Sequence, residues 1–107
     1  MDDGQAAARF AALSDPTRLG ILRLLVRAGS GGAAAGAVAD GLGAAPSRAS
    51  FHLKALEGAG LIASRREGRR ILYVARFEAL GALLSHLVEE CCAGEPRLRA
   101  CCAQSSS

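Results

Sequence analysis

The cysteines of this 107-residue chain form two adjacent pairs near its C-terminal end: Cys91-Cys92 and Cys101-Cys102. Thiolates bind soft metals and metalloids in preference to hard cations. The Cys-x-x-Cys spacing of many zinc sites does not occur in the sequence, and His86 is too isolated to complete such a site. Free cysteines often serve as small buried apolar residues, but that interpretation suits Cys91 alone, because the other three border a polar segment. The pairs therefore indicate a site for a soft metal or metalloid.

The two cysteines of one pair cannot readily hold the same ion while both remain helical. Neighbouring side chains on an α-helix point about 100° apart, since one turn contains about 3.6 residues. If Cys91 and Cys92 end a helix, we expect that helix to unwind when the ion binds. The third sulfur then comes from Cys101 or Cys102, because the intervening segment reaches far enough at about 3.3–3.6 Å per residue.

Positive charge is concentrated in residues 48–76. This stretch holds seven arginine or lysine residues against two glutamates, a net charge of +5, whereas residues 1–47 are neutral and residues 77–107 carry −2. An excess of positive charge in one stretch is typical of a surface that contacts a polyanion such as DNA. The chain as a whole carries only +3, so the location of the charge is more informative than its total.

Hydrophobic periodicity predicts a mostly helical chain with one β-hairpin. The length fits one small domain with a thin core, because half of the residues are apolar but only 4% are aromatic. Asp15-Pro16 can begin one helix and Pro46 another, since aspartate caps helices and proline favours their first turn. We predict helices over residues 5–14, 17–26, 34–42, 46–59 and 76–92, and strands over 61–67 and 69–75. Residues 1–92 then form the domain, and residues 93–107 form a mobile tail that carries the second cysteine pair.

The order of these elements predicts an α+β fold, mostly α, of the winged helix-turn-helix type. Two helices joined by a short turn precede a two-stranded hairpin, whose tip carries four arginines: Arg65, Arg66, Arg69 and Arg70. In such folds the second helix enters the major groove of DNA, and the wing lies along the backbone or in the minor groove. The last helix has an unusually wide apolar stripe, which includes Leu80, Leu83, Leu84 and Leu87. One small domain has too little protein to cover this stripe, so we expect a second copy of the chain to cover it.

Three segments resemble the ArsR/SmtB family of bacterial metalloregulatory repressors: ALSDPTRLGIL over residues 12–22, SRASFHLKALEGAGL over 47–61 and SRREGRR over 64–70. The resemblance covers residues 6 to about 90, and the three motifs together are specific. It implies a homodimer that assembles through the first and last helices and binds double-stranded operator DNA.

The resemblance also implies which side chains contact the DNA. On the recognition helix they are Ser47, Arg48, Ser50, Phe51, His52 and Lys54. On the wing they are the four arginines of the tip, which mostly contact phosphates. Arginine can donate two hydrogen bonds to one guanine, whereas serine can bond to bases or phosphates. For His52 two roles remain open, a phosphate contact or support of the recognition helix.

The cysteine positions differ from the family's best-known arsenic site. Many arsenic sensors of this kind hold a Cys-x-Cys in the helix before the recognition helix, but residues 35–42 contain no cysteine. The chain instead resembles an arsenic-responsive subgroup whose cysteines lie at the end of the last helix. Trivalent arsenic or antimony, which takes three sulfurs in a pyramid, is therefore the expected inducer, and no permanent cofactor is expected. The candidate ligands are Cys91, Cys92, Cys101 and Cys102.

Several alternatives remain open at this point. A repressor of the same fold could sense a methylated trivalent arsenical through two thiols, or its cysteines could form a disulfide and sense oxidation. A metalloid buffer or interaction module that does not use DNA is a further possibility, against which the basic hairpin argues. Zinc sensors of the family use Asp-x-His and His-x-x-Glu on the last helix, and only His86 and Glu89 match. A zinc site is therefore not expected, and His86 should lie at the surface or in an interface.

The sequence contains no group of residues that is typical of an enzyme active site. It lacks a Ser/His/Asp grouping and a phosphate-binding loop, and its carboxylates are scattered. No apolar segment comes close to the length of about 20 residues that a membrane span needs. The N-terminus is acidic, whereas a secretory leader begins with basic residues. These features predict a cytoplasmic protein, in which a structural disulfide is not expected.

Overall fold

The computed structural model describes residues 1–105, so the last two serines of the predicted mobile tail lie outside the described residues. The helices are α1 (Asp3–Leu13), α2 (Pro16–Ala28), α3 (Ala35–Leu42), α4 (Pro46–Gly58), α5 (Phe77–Ser85) and α6 (Pro96–Ser105), with a 3₁₀ turn over Gly29–Gly31 and a π-helix over His86–Cys91. The strands are β1 (Ala33–Ala34), β2 (Ile62–Glu67) and β3 (Arg70–Ala75). This arrangement confirms the predicted winged helix-turn-helix fold, mostly α.

Side-chain caps determine where the first two helices begin. The Asp2 carboxylate accepts a hydrogen bond from the Gln5 backbone N–H at 2.7 Å, and the Gln5 side chain accepts one from the Asp2 backbone N–H at 3.0 Å. This reciprocal capping box starts α1 two residues earlier than predicted. Asp15 caps α2 and Pro16 is its first residue, as predicted.

The wing is an antiparallel hairpin of β2 and β3, in which Ile62 pairs with Ala75 and Glu67 with Arg70. A third strand was not predicted: β1 pairs with β3 in the order β1-β3-β2, with Ala33 opposite Tyr73. Two alanines have little intrinsic preference for strands, so the pairing depends on the tertiary approach of this segment to β3. The predicted two-stranded wing is therefore present, and β1 anchors its base.

Gly32 permits this close approach. Its φ is +69°, and a Cβ placed there would lie 2.7 Å from the Tyr73 carbonyl oxygen and 2.9 Å from the Val74 Cγ1. We expect Gly32→Ala to lower the free energy of unfolding by about 1–3 kcal/mol, because it adds backbone strain and a clash. Urea denaturation measures this change.

Gly36→Ala is the matched control for that experiment. Gly36 lies in α3 with ordinary φ, and nothing stands within 4 Å of its added Cβ. The same substitution should therefore stabilise the protein by about 0.5–1 kcal/mol. A Gly32→Ala protein as stable as the parent would show that β1 does not depend on the close approach.

The core lies where α2, α4 and the base of the wing meet. Ile21 and Leu25 from α2, Leu53 and Leu56 from α4, and Leu61 before β2 have no exposed surface. Each such side chain contributes about 1.5–3 kcal/mol through burial. The buried leucines of α4 therefore fix which face of that helix points away from the domain.

The last helix changes its winding partway, whereas the sequence predicted a single α-helix over residues 76–92. After α5 the backbone hydrogen bonds span five residues, as in a π-helix, instead of four. The Cys92 N–H, for example, donates to the carbonyl of Leu87 at 3.0 Å. Ala93 then takes a positive φ of 53°, and the Gly94 N–H donates to the Val88 carbonyl at 2.7 Å. π-helical turns are rare in proteins, and those that occur often lie at functional sites. The π-helix begins at His86 and ends at Cys91, the first residue of the first cysteine pair.

The segment predicted to be mobile contains the helix α6. An ion pair between Arg99 and Glu89 ties α6 to the π-helix. A cleft of about 350 Å³ separates the two elements, and it is lined mainly by apolar side chains that include Leu84, Val88 and Leu98. The second cysteine pair therefore belongs to a helix with its own contacts. Among the helices that the structure describes, none is both long and apolar enough to cross a membrane.

Candidate nucleic-acid interface and thiol site

The recognition helix α4 separates buried from exposed residues as a DNA-reading helix requires. Its buried residues are Ala49, His52, Leu53 and Leu56. Its exposed residues include four of the predicted DNA contacts: Ser47, Arg48, Phe51 and Lys54. Ser50 is half-buried. Five of the six predicted positions on α4 thus have side-chain surface available to a groove, and His52 is the exception.

Arg18 of α2, which the sequence analysis did not single out, organises the middle of α4. Its Nε donates a hydrogen bond to His52 Nδ1 at 3.0 Å. Its guanidinium carbon lies 6.0 Å from the centre of the Phe51 ring, within the range of a cation–π interaction. The Phe51 and His52 rings meet edge to face, 5.3 Å apart. Since His52 is only 8% exposed, this geometry favours support of the recognition helix over a phosphate contact.

Asp15 holds the start of α2 next to this cluster. Its carboxylate accepts a hydrogen bond from the Arg18 N–H at 3.1 Å, and that bond lowers the pKa of Asp15, with the charge of Arg18 acting in the same direction. Because the pKa is lower in the folded state, the stabilisation is present above the pKa of the unfolded chain. It is lost as the pH falls through the pKa of the folded state.

The wing arginines divide into two groups. Arg66, Arg69 and Arg70 are exposed, and within residues 1–105 the structure gives them no ion pair or side-chain hydrogen bond. Arg65 instead donates to the backbone carbonyls of Ser30 at 2.6 Å and Gly31 at 3.3 Å, and it lies 3.6 Å from Glu67. Three arginines are therefore available to phosphates, whereas Arg65 braces the wing against the turn after α2.

None of the four cysteines lies in the core: Cys91, Cys101 and Cys102 are exposed and Cys92 is half-buried. Cys91 borders a small apolar pocket between α1 and the π-helix, with Ala6 and Phe10. Cys102 lines the cleft between the π-helix and α6. Within the described residues, no three histidine, cysteine or acidic side chains are close enough to hold a metal ion. The two pairs therefore stand on separate elements in this conformation.

His86 is buried, not at a free surface. Its side chain is 9% exposed, and its Nε2 lies 2.9 Å from the Asp3 carboxylate of α1. The sequence could not reveal this contact, because 83 residues separate the partners. His86 thus joins the π-helix to α1.

The apolar stripe of the last helix divides between the core and the surface. Leu83 is 2% exposed and packs in the core of its own domain, so its predicted place in a dimer interface is wrong. Leu84 is 62% exposed and Phe77 53% exposed, one above the other on α5. Leu80 and Leu87 are half-buried. The uncovered part of the stripe is therefore centred on Leu84.

Comparison with known proteins agrees with this geometry. A family model described as a helix-turn-helix domain matches residues 13–65, from the end of α1 into β2. The HTH-type transcriptional regulator YgaV of Escherichia coli (strain K12) is 41% identical over 88 residues, which are 82% of this chain and 87% of the relative.

Two solved structures are similar over most of their length. An ArsR-like transcriptional regulator from Rhodococcus sp. RHA1 has a TM-score of 0.76 at 34% identity, covering 91% of this chain and 89% of that chain. A homodimeric winged helix-turn-helix DNA-binding domain, fragment 1–100 of Mb0332 from Mycobacterium bovis, has a TM-score of 0.63 at 30% identity, covering 84% of this chain and 93% of that chain.

The fold, the exposed face of α4 and these similarities define a DNA-binding class of protein, the winged helix-turn-helix regulators of transcription. Within this class, the chain belongs to the ArsR family.

Proposed function

We propose that the protein is a homodimeric repressor that leaves its operator when trivalent arsenic or antimony binds its cysteine thiolates. The observation that carries this proposal is the position of the cysteines. All four lie between residues 91 and 102, and none is buried. Since cysteines outside disulfides are among the most buried residue types, four cysteines of which none is buried indicate ligation, and paired thiolates suit a soft metalloid.

The dimer follows from the way such a domain binds DNA. One recognition helix reads one half-site, and a two-fold dimer places two such helices about one helical turn of DNA apart. The homodimeric state of the similar Mycobacterium bovis fragment and the exposed Leu84 of α5 support the same assembly here. A repressor that occupies chromosomal DNA works in the cytoplasm.

The thiols are placed so that ligation can alter the dimer. Cys91 ends the π-helix that continues α5 and Cys92 follows it, and His86 of the same π-helix contacts α1. Binding three sulfurs requires the π-helix and α6 to rearrange, because the described residues contain no three-ligand group. A movement there changes α1 and α5, and with them the spacing of the two recognition helices.

Titration of the DNA-bound dimer tests this proposal directly. Arsenite, antimonite, methylarsenite, zinc and peroxide are added separately to the protein on a duplex that it has itself selected from a randomised pool. We expect release by arsenite and antimonite and no release by zinc. Release by methylarsenite alone would replace the three-sulfur site with a two-thiol site, and release by peroxide alone would indicate a redox sensor.

Two arginines should separate base reading from phosphate binding. Arg48→Ala should weaken binding to the selected duplex by about 1–3 kcal/mol if Arg48 contacts a guanine, with little effect on random DNA. Arg69→Ala should weaken binding to both duplexes equally and reduce the salt dependence by about one phosphate. Gel-shift or anisotropy titrations at several salt concentrations measure both effects. Equal losses on the two duplexes for Arg48→Ala would remove Arg48 from the base-reading residues.

A further inference from the structure

Two arginines from different helices converge on the C-terminal end of the recognition helix. Arg9 of α1 donates from Nε to the Ala59 carbonyl at 3.0 Å. Arg76, which caps the start of α5, donates from Nη1 to the Gly60 carbonyl at 3.1 Å and from its backbone N–H to the Leu61 carbonyl at 3.0 Å. Three successive carbonyls after α4 are thus bonded to α1 and α5.

These bonds complete the end of α4. Backbone N–H groups already satisfy the carbonyls of Ala55, Leu56 and Glu57 in the last turn of the helix. The guanidinium groups of Arg9 and Arg76 satisfy the carbonyls of Ala59 and Gly60, just beyond the helix end, where the helix dipole is negative and a cation is favourable. Because the partial charges of the helix end attract both guanidinium groups, two like charges can lie close together there.

Gly60 is required at the centre of this arrangement. Its φ is +80°, and a Cβ there would lie 3.2 Å from Arg9 Nη2 and 3.5 Å from Arg76 Nη1. Both guanidinium groups therefore approach the same side of one residue. Glu78 fixes one of them by accepting a hydrogen bond from Arg76 Nε at 3.0 Å, a contact that contributes to the lowered pKa of Glu78 after its backbone hydrogen bond.

We propose that Arg9 and Arg76 are positioning residues that fix the orientation of the recognition helix relative to α1 and α5. The proposal builds on the proposed function, since α1 and α5 are the elements next to the cysteines and the dimer. Neither arginine lies on α4 or at the tip of the wing. Each arginine acts through its contact with the end of α4. A small rotation of α1 and α5 therefore moves the DNA-reading side chains of α4, and a contact with a base is sensitive to such a movement.

The test compares two duplexes: one selected by the parent protein from a randomised pool, and a scrambled duplex of the same composition. Arg9→Gln and Arg76→Gln should each reduce the ratio of the two affinities about tenfold or more, the scale of one lost base contact. Affinity for the scrambled duplex and the salt dependence should stay at the parent values, because no phosphate contact is removed. The Arg9→Gln/Arg76→Gln double variant should lose little more of the affinity ratio than either single variant, because both arginines hold the same end of α4.

Arg27→Gln is the matched control, because Arg27 is exposed at the end of α2 and its loss changes the net charge equally. A salt dependence reduced by about one phosphate in either variant would show a direct DNA contact and overturn the proposal. An unchanged affinity ratio would do the same. If Arg76→Gln does not fold by circular dichroism, Arg9→Gln and Arg9→Lys decide the matter: lysine keeps one donor and the charge, so it should retain most of the affinity ratio.

The inducer response is a separate measurement. In the Arg9→Gln and Arg76→Gln variants, release of the same fraction of dimers from DNA should require more bound arsenite than in the parent. The reason is that movement of α1 and α5 no longer moves α4. If arsenite fails to release the parent itself, the proposed inducer is wrong, while the affinity ratio still tests the two arginines.

Discussion

Replacing Leu84 with aspartate should leave a folded monomer that no longer dimerises and no longer holds its operator tightly. Leu84 is 62% exposed in the single chain, so a carboxylate at this position remains hydrated in the monomer. In a two-fold interface each copy would bury this carboxylate without a partner. An uncompensated buried charge costs about 3–5 kcal/mol, so dimerisation should weaken by more than about 100-fold.

Sedimentation at micromolar concentration measures the mass of the Leu84→Asp protein, and thermal denaturation shows that it is folded. Val26→Asp is the matched control, because Val26 is an exposed apolar residue of α2 and lies outside both predicted dimer helices. It should remain dimeric with the same added charge. A dimeric Leu84→Asp protein would mean that the second copy covers another surface.

Local sequence signals predicted the elements that form the DNA-reading head. Asp15-Pro16 begins α2 and Pro46 begins α4, since both signals act within one turn of the chain. Gly43, with a φ of 62°, ends α3 in the left-handed conformation that glycine favours. The exposed face of α4 then follows from the spacing of its buried leucines, which is why its contact residues could be placed from sequence.

The C-terminal region could not be predicted in the same way. A spacing of apolar residues near 3.6 is compatible with both an α-helix and a short π-helix, so the change of winding at His86 leaves no clear pattern. The helix α6 is short and weakly amphipathic, and its position depends on the Arg99–Glu89 ion pair and on the apolar cleft against Leu84. Isolated helices of this length are marginal in water, so tertiary contacts decide whether they form.

Contacts between distant residues account for the remaining differences. Arg18 and His52 are 34 residues apart, Arg9 and Ala59 are 50 apart, and both pairs are hydrogen bonds at 3.0 Å. No local rule predicts such pairs, because each depends on how helices pack. They explain why a histidine and two arginines of a basic protein make hydrogen bonds within the fold.

Replacing Cys92 with serine should abolish release by arsenite while operator affinity stays at the parent value. Serine keeps the size of the side chain but removes the soft ligand. Cys92 follows the π-helix, whose His86 contacts α1, so loss of this sulfur separates ligation from the dimer helices. No cysteine lies on α4 or on the wing, which is why DNA binding itself should not change. Operator release is measured by anisotropy during an arsenite titration.

The second cysteine pair should contribute less than the first. Cys101 and Cys102 are adjacent on α6 and point about 100° apart, so only one of them can supply a third sulfur at a time. Each single serine variant should raise the arsenite concentration that is needed, and either remaining sulfur should partly substitute once α6 moves. Ligation also releases protons from the thiols, so the response should weaken as the pH is lowered.

The double variant Cys101→Ser/Cys102→Ser separates the two possible thiol sites. It should respond poorly to arsenite, which takes three sulfurs, and nearly normally to methylarsenite, which needs one fewer. This contrast arises because Cys91 and Cys92 remain at the end of the π-helix and can still bind, after local unwinding, an arsenical whose methyl group takes the place of the third sulfur. If the double variant releases its operator at the parent's arsenite concentration, α6 supplies no ligand, and a two-thiol sensor replaces the three-sulfur site.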